Sequence, residues 1–314
     1  VTAPDLVDRG LWRRRRRELA DCRGHALFAG LVDSLLDRLA AVRRRFERIL
    51  VIGAAPGMAP RLRGSFPDSL VVLADGNEAL LRRSAANGPA LALDEEALPF
   101  AVGSLDLVIG ALTLHWTNDL VGALAQIRIA LKPDGLFLGA LFGGRTLCEL
   151  RDGLAEAEVE RAGGLGLRVA PMADIRDVGG VLQRAGFALP VVDSERFAIE
   201  YGDLRELMRD LRRIGESNVL ASRGGPLRRD VLTAAERALQ RRQHCSAGVR
   251  SSFEVLHLCG WAPHESQPKP LRPGSAAVRL ADSLGVAELP AGEAAGPPSL
   301  SAVQGGIFTG RGEG

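Results

Sequence analysis

Between residues 48 and 75 the chain carries an arrangement that few folds accommodate. Arg48-Ile49-Leu50-Val51-Ile52 is a short apolar run of strand composition. Gly53-Ala54-Ala55-Pro56-Gly57 follows, then a helical stretch, then a second apolar run from Leu70 to Ala74 that ends at Asp75. A strand, a glycine-bearing loop, a helix and a second strand closing on an acid make a nucleotide-binding βαβ unit. Glycine lets the backbone approach a ligand, the helix start offers unpaired amides, and the carboxylate can hold ribose hydroxyls. Gly53, Gly57 and Asp75 fit those roles.

Strand-like and helical segments alternate as far as Phe142, the pattern of a parallel sheet covered on both faces. Ser104 to Ile109 reads as the fourth strand. A helix over 123–131 is stopped by Lys132-Pro133-Asp134-Gly135, a turn that launches the next strand. Helices are expected around 146–161, 174–185, 204–214 and 228–243. Two late strands are expected at 187–192 and 195–201, with a last one over 251–258.

Ahead of the βαβ unit lie two helices. The first carries Arg13-Arg14-Arg15-Arg16-Arg17, with Leu11, Trp12 and Leu19 available for a buried side. Such a run reads first as a solvated face, and second as a site for phosphate or an acidic partner. Phe28, Leu31, Val32, Leu35, Leu36 and Leu39 form the apolar stripe of the second. The expected organisation is N-terminal helices over 1–47, a main domain over 48–284 with helical additions near 145–170 and 203–243, and a disordered tail over 285–314.

Net charge is +2, so composition offers no reason to expect nucleic acid, and no apolar run is long enough to span a bilayer. Cys22, Cys148, Cys245 and Cys259 form no CxxC pair, which suggests free thiols and a bacterial cytoplasm. The arginine-rich start leaves a mitochondrial matrix protein as the alternative. None of His25, His115, His244, His257 and His264 stands in a His-x-Asp or His-x-x-x-His arrangement, so no local metal site is expected.

The order of motifs resembles the class I S-adenosylmethionine (SAM) methyltransferases: the glycine loop, Asp75, Asp94-Glu95 before Leu98-Pro99-Phe100, the strand at Asp106, and Leu131 to Leu138. The resemblance implies a Rossmann-like α/β fold with a mostly parallel seven-stranded sheet, N-terminal helices and a helical insertion or lid. It also implies a SAM cofactor held by Gly53, Ala55, Gly57, Asp75, Asp94, Glu95 and Leu112. Two positions depart from the family pattern. Val51 stands where the first strand normally ends in an acid, and Ala55 stands at the middle glycine. A Cβ in that loop crowds the ligand, an expected loss of about one to two orders of magnitude in affinity.

Further segments narrow the resemblance. They include Leu6 to Arg17, Leu112-Thr113-Leu114-His115-Trp116-Thr117-Asn118-Asp119-Leu120, Gly143 to Leu147 and Asp177 to Pro190. Met208 to Arg212, Gly215 to Asn218 and Gln267 to Ala276 complete them. These are similar to the family of mitochondrial complex I assembly factor 5, next to the malonyl-carrier-protein methyltransferases of biotin synthesis. The resemblance implies methyl transfer to an unidentified acceptor, or alternatively protein arginine hydroxylation or a non-catalytic role in complex I assembly, with a complex I subunit as partner.

His115, just past the fourth strand, is the candidate base, with a pocket-wall role as the alternative. Trp116 is a candidate pocket residue. Asp210 and Glu216 could recognise a guanidinium, or else belong to an arginine–carboxylate network that holds the added helices down. Asp119 is expected to cap a helix, and Asp106 to be structural.

Overall fold

The computed structural model describes residues 5–17, 25–53, 57–84, 88–245, 247–268, 275 and 278–286. Two compact units are present, Val1–Gln267 and Pro268–Gly314. In the second, the described part holds one short helix, Leu280–Leu284. Ala55, Lys269 to Gly274 and the expected tail from 287 onward lie outside the described residues.

The first unit begins with α1 (Arg9–Arg17) and α2 (Ala26–Ala40), followed by β1 (Arg48–Ile52), α3 (Met58–Ser65), β2 (Leu70–Asp75), α4 (Glu78–Ser84), β3 (Ala90–Ala92) and β4 (Leu105–Ala111). After a 3-10 turn come α5 (Leu120–Ala130), β5 (Leu131–Phe142), α6 (Cys148–Ala162), α7 (Ile175–Arg184), β6 (Ala188–Tyr201), α8 (Leu204–Arg213), α9 (Arg229–Gln243) and β7 (Val249–Trp261). The seven strands form one sheet in the order β3-β2-β1-β4-β5-β7-β6. β1 to β5 run parallel, and β7 lies antiparallel between β5 and β6.

Alternation along β1 explains the two layers. Ile49 and Val51 join a core with Leu31 and Leu35 of α2 and Met58 of α3. Leu50 and Ile52 face the opposite way, into a core with Leu124 and Ile127 of α5 and Val178 and Leu182 of α7. A strand buried on both faces needs apolar residues at every position, hence the unbroken run that marked it in the sequence. The expected cap forms, Asp119 accepting from the Gly122 amide at the start of α5, and Asp174 likewise accepts from the Arg176 amide at the start of α7.

Two segments differ from expectation. Lys132 to Gly135 is not a turn before the strand but an irregularity within β5: pairing passes from Leu105↔Leu131 to Leu107↔Leu136 with a register shift, and Asp134 takes a φ of 63°. A bulge tolerates the proline that a regular ladder would reject. The two late strands are one, β6, because Asp193 to Glu195 stay paired with β7. As the edge of the sheet, β6 keeps its polar residues in water on its outer side, which broke the expected apolar pattern without breaking the strand.

Candidate functional site

The carboxyl ends of β1, β2 and β4 meet at a polar edge, where open α/β sheets bind ligands. Gly53, at φ 93°, leaves β1 there. A Cβ on it would stand 2.3 Å from the Ala111 carbonyl oxygen, so the end of β4 already demands this glycine. Gly57 is the N-cap of α3 at φ 85°, with open space around it. Val51, where an acid was expected, is fully buried between Leu73 and Ile109 of the neighbouring strands. Leu112, also buried, leaves β4 at φ 49°, backbone strain that a leucine accepts only when its surroundings impose it.

The acidic residues of this edge are all engaged, and by the same helix. Asp75 is fully buried and receives Arg16 Nη2 at 2.6 Å and Nε at 3.3 Å, together with the Asn77 amide at 2.7 Å. Arg9 Nη2 reaches both Asp94 at 2.6 Å and Glu95 at 2.7 Å, while Arg13 also pairs with Asp94. Trp12 is buried beneath them, with the Arg9 guanidinium 4.3 Å from its ring centroid. The arginine run is therefore not simply a solvated face: Arg16 is 6% exposed, and the acidic partner it seeks is in its own chain.

These pairings set the charge states. Burial pushes the Arg16 pKa down, but the neighbouring Asp75 carboxylate outweighs it and raises the net value. Burial pushes the Glu95 carboxyl up, and Arg9 only partly opposes this. Asp94 is less enclosed. There burial is outweighed by hydrogen bonds from Arg9 and the Glu96 amide, and its pKa falls.

On the other side of α1 opens a cavity of about 1250 Å³, bounded by α6, α8, the start of α9 and the ends of β5 and β7. Phe142, Leu150 and Phe253 belong to its apolar floor. Arg205, Arg209, Arg212 and Arg229 stand around it on exposed surface, and no carboxylate pairs with any of them among the described residues. α8 buries Leu204, Leu207 and Leu211, a stripe that turns these arginines of α8 away from the core.

Trp116 and Glu216 line this cavity. Glu216 Oε2 accepts from Trp116 Nε1 at 3.0 Å and from His115 Nε2 at 3.2 Å, contacts that span 100 and 101 residues. The His115 side chain is only 4% exposed, its Nδ1 is buried without a hydrogen-bond partner among the described residues, and it lies behind Glu216 rather than on the cavity wall. Asp210 is also off the wall: its Oδ2 accepts from the Tyr201 hydroxyl at 3.0 Å and meets His25 Nε2 at 2.8 Å. That clamp ties α8 to β6 and to the start of α2. It uses no arginine, unlike the network expected from the sequence.

The acidic cofactor candidates Asp75, Asp94 and Glu95 are thus brought to one edge, and Trp116 and Glu216 to one cavity. Arg9, Trp12 and Arg16 were not read as contacts of the acids, and the cavity arginines were not singled out. The basic run and the family-like segment from Leu6 to Arg17 were the signals for the first group. The second was legible only as arginines opposite the leucine stripe of α8.

Among described residues no group of three or more His, Cys, Asp and Glu side chains is placed to hold a metal ion. No helix among them is long and apolar enough to cross a membrane.

Comparison with known proteins matches this frame. Residues 50–139 fit the model of a methyltransferase domain. The zebrafish (Danio rerio) protein "Arginine-hydroxylase NDUFAF5, mitochondrial" is 37% identical over 293 residues, covering 91% of each chain. The "Malonyl-[acyl-carrier protein] O-methyltransferase" of Laribacter hongkongensis is 35% identical over 247 residues, covering 74% of this chain and 81% of its own. A Bacillus halodurans structure described as a methyltransferase superposes with a TM-score of 0.51 at 14% identity, covering 74% of this chain and 99% of its own. The chain belongs to the NDUFAF5 family, within the class I SAM methyltransferase superfamily that it shares with the malonyl-carrier-protein O-methyltransferases.

Proposed function

We propose that this protein is a SAM-dependent transferase whose acceptor presents an anionic group to the arginine-rimmed cavity. The observation that carries the reading is that rim: four guanidiniums without carboxylate partners among the described residues, around an apolar floor, next to the acid-lined edge of a methyltransferase fold. Such a site suits an acceptor with an apolar body and a carboxylate or phosphate head. The Laribacter relative, named for methylating a malonyl group on its carrier, supports an acceptor of that charge.

The donor set at the edge fits the cofactor. Asp75 would hold the ribose hydroxyls, Asp94 and Glu95 the adenine, and the Gly53 to Gly57 loop the remainder. Glu95 Oε1 and Thr113 Oγ1 are buried there with no hydrogen-bond partner among the described residues, acceptor and donor capacity that a ligand could use. When bound, SAM supplies an electrophilic methyl group. Trp116 and Glu216 would then orient the acceptor, with His115 holding Glu216 in place from behind. The thiols of Cys148, Cys245 and Cys259 are free, which supports a reducing, cytoplasmic setting.

A second reading, hydroxylation of a protein arginine, is favoured by identity with the zebrafish protein over nearly the full length. The two differ in the charge they require of the acceptor. Calorimetry with S-adenosylhomocysteine would report the cofactor site. Titration of octyl phosphate and of an arginine peptide into the same protein would report the cavity. We expect micromolar S-adenosylhomocysteine binding, with octyl phosphate preferred and its affinity falling more than about tenfold in Arg209→Glu/Arg212→Glu. No S-adenosylhomocysteine binding up to millimolar would refute the transferase, and preference for the arginine peptide would select the hydroxylase.

A further inference from the structure

The edge that would hold a nucleoside is occupied from within. We infer that α1 is an intramolecular stand-in for the nucleoside, and that it gates the cofactor site by leaving it. This rests on reading the acid-lined edge as the cofactor side.

Each part of α1 takes a place that a ligand would need. An ionised carboxylate accepts about four hydrogen bonds. Asp75 already receives two from Arg16 and one from the Asn77 amide, so a ribose diol finds too little capacity left. Asn77 Nδ2 in turn donates to the Arg16 carbonyl, which ties the helix backbone to the same corner. The Trp12 indole packs against the shelf beyond β2: a Cβ on Gly76 would stand 3.2 Å from its ring, and the Leu93 carbonyl oxygen lies 3.6 Å from that same point. A purine stacked at the ends of β2 and β3 would need that shelf. Arg9 and Arg13 hold Asp94 and Glu95, the remaining acids of the edge.

The fit is close but incomplete, as a displaceable occupant requires. Trp12 Nε1 and Glu95 Oε1 are buried without a hydrogen-bond partner among the described residues, and Arg9 Nε has only the Glu96 carboxylate at 3.6 Å. Departure of the helix returns its own N–H groups to water, and a purine amino group can then donate to Glu95 Oε1, which stays at the edge. α1 also borders the second site, because Arg15 lines the acceptor cavity and Arg9 Nη1 donates to the Trp116 carbonyl at 3.1 Å. Departure of the helix therefore changes the wall of both sites together.

A site closed most of the time binds with an affinity lowered by the fraction open. The test compares full-length wild type, Trp12→Ala, Arg16→Gln and Arg14→Gln, the last changing an exposed arginine of the same helix. Each is titrated with S-adenosylhomocysteine by calorimetry, and deuterium exchange of the α1 amides in the wild type is followed with and without it. We expect Trp12→Ala and Arg16→Gln to bind about tenfold more tightly or better, Arg14→Gln to match wild type, and α1 amides to exchange faster when ligand is present. Equal binding by all four with unchanged α1 exchange would overturn the gate and leave the cofactor reading standing. No binding by any of them would overturn the cofactor reading, and the gate with it.

Discussion

Arg9→Met should destabilise the protein in a way that depends on pH, and the size of the effect follows from which carboxylate is left behind. Arg9 serves two. Asp94 has a side chain 29% exposed and keeps Arg13. Glu95 has a side chain 0% exposed, and among the described residues Arg9 is its only ion-pair partner. Removing one member of a buried pair typically costs about 3–5 kcal/mol, because a charge is left uncompensated. Glu95 can escape by taking a proton. Its carboxyl is already raised above the ordinary 4.5 by burial, and removing Arg9 removes the main opposing influence.

The sign follows from proton binding. A carboxyl whose folded pKa lies above its unfolded value binds more protons when native, so its contribution to stability falls as pH rises from the unfolded value through the folded one. Holding it protonated costs about 1.4 kcal/mol for each pH unit above that ordinary value. The loss in Arg9→Met should therefore be about 3 kcal/mol at pH 7 and shrink to about 1 kcal/mol at pH 5. Urea unfolding of wild type, Arg9→Met, Glu95→Gln and the double variant at both pH values measures this. The double variant should recover most of the loss at pH 7. An equal loss at both pH values, with no recovery in the double variant, would show that Arg9 acts by packing on Trp12 and not through the Glu95 charge.

Two further outcomes test the frame around the site. Gly53→Ala should cost more than about 2 kcal/mol in urea unfolding, because the added Cβ meets the Ala111 carbonyl at 2.3 Å on a backbone at φ 93°; a neutral effect would mean that the ends of β1 and β4 are loosely held. Tyr201 is the single tyrosine, so the ultraviolet phenolate signal reports it alone. Burial first and the Asp210 charge second push its pKa well above 10.0, so the folded protein should show almost no phenolate at pH 10, and stability should fall as pH rises further and the unfolded chain ionises. Half-ionisation at pH 10 without unfolding would refute the Tyr201–Asp210 clamp.

Much of the architecture was legible because its signals are local. The unbroken apolar runs of β1 and β4, the leucine stripe of α2 and the cap at Asp119 each depend on residues within a turn or a strand of one another. Where β6 and the bulge of β5 departed from expectation, the reason was position in the sheet. An edge strand may carry polar residues, and a bulge may carry a proline, but neither position is visible in a local window.

The site divides the same way. Asp75, Asp94, Glu95 and the loop glycines could be named from order and spacing, because a βαβ unit places them at one edge by its own geometry. What those acids touch could not. The Arg16–Asp75 and Arg9–Glu95 pairs join residues 59 and 86 positions apart, and Glu216 meets Trp116 across 100. An arginine run has the same local appearance whether it faces water or a buried carboxylate. Burial makes the difference: only packing removes the water that would otherwise satisfy each charge, and so decides which arginines must find an acid and which stay free at a cavity rim. The sequence by itself determined that this chain builds a methyltransferase sheet with an acidic nucleotide edge, while the tertiary structure alone decided that its first helix lies across that edge.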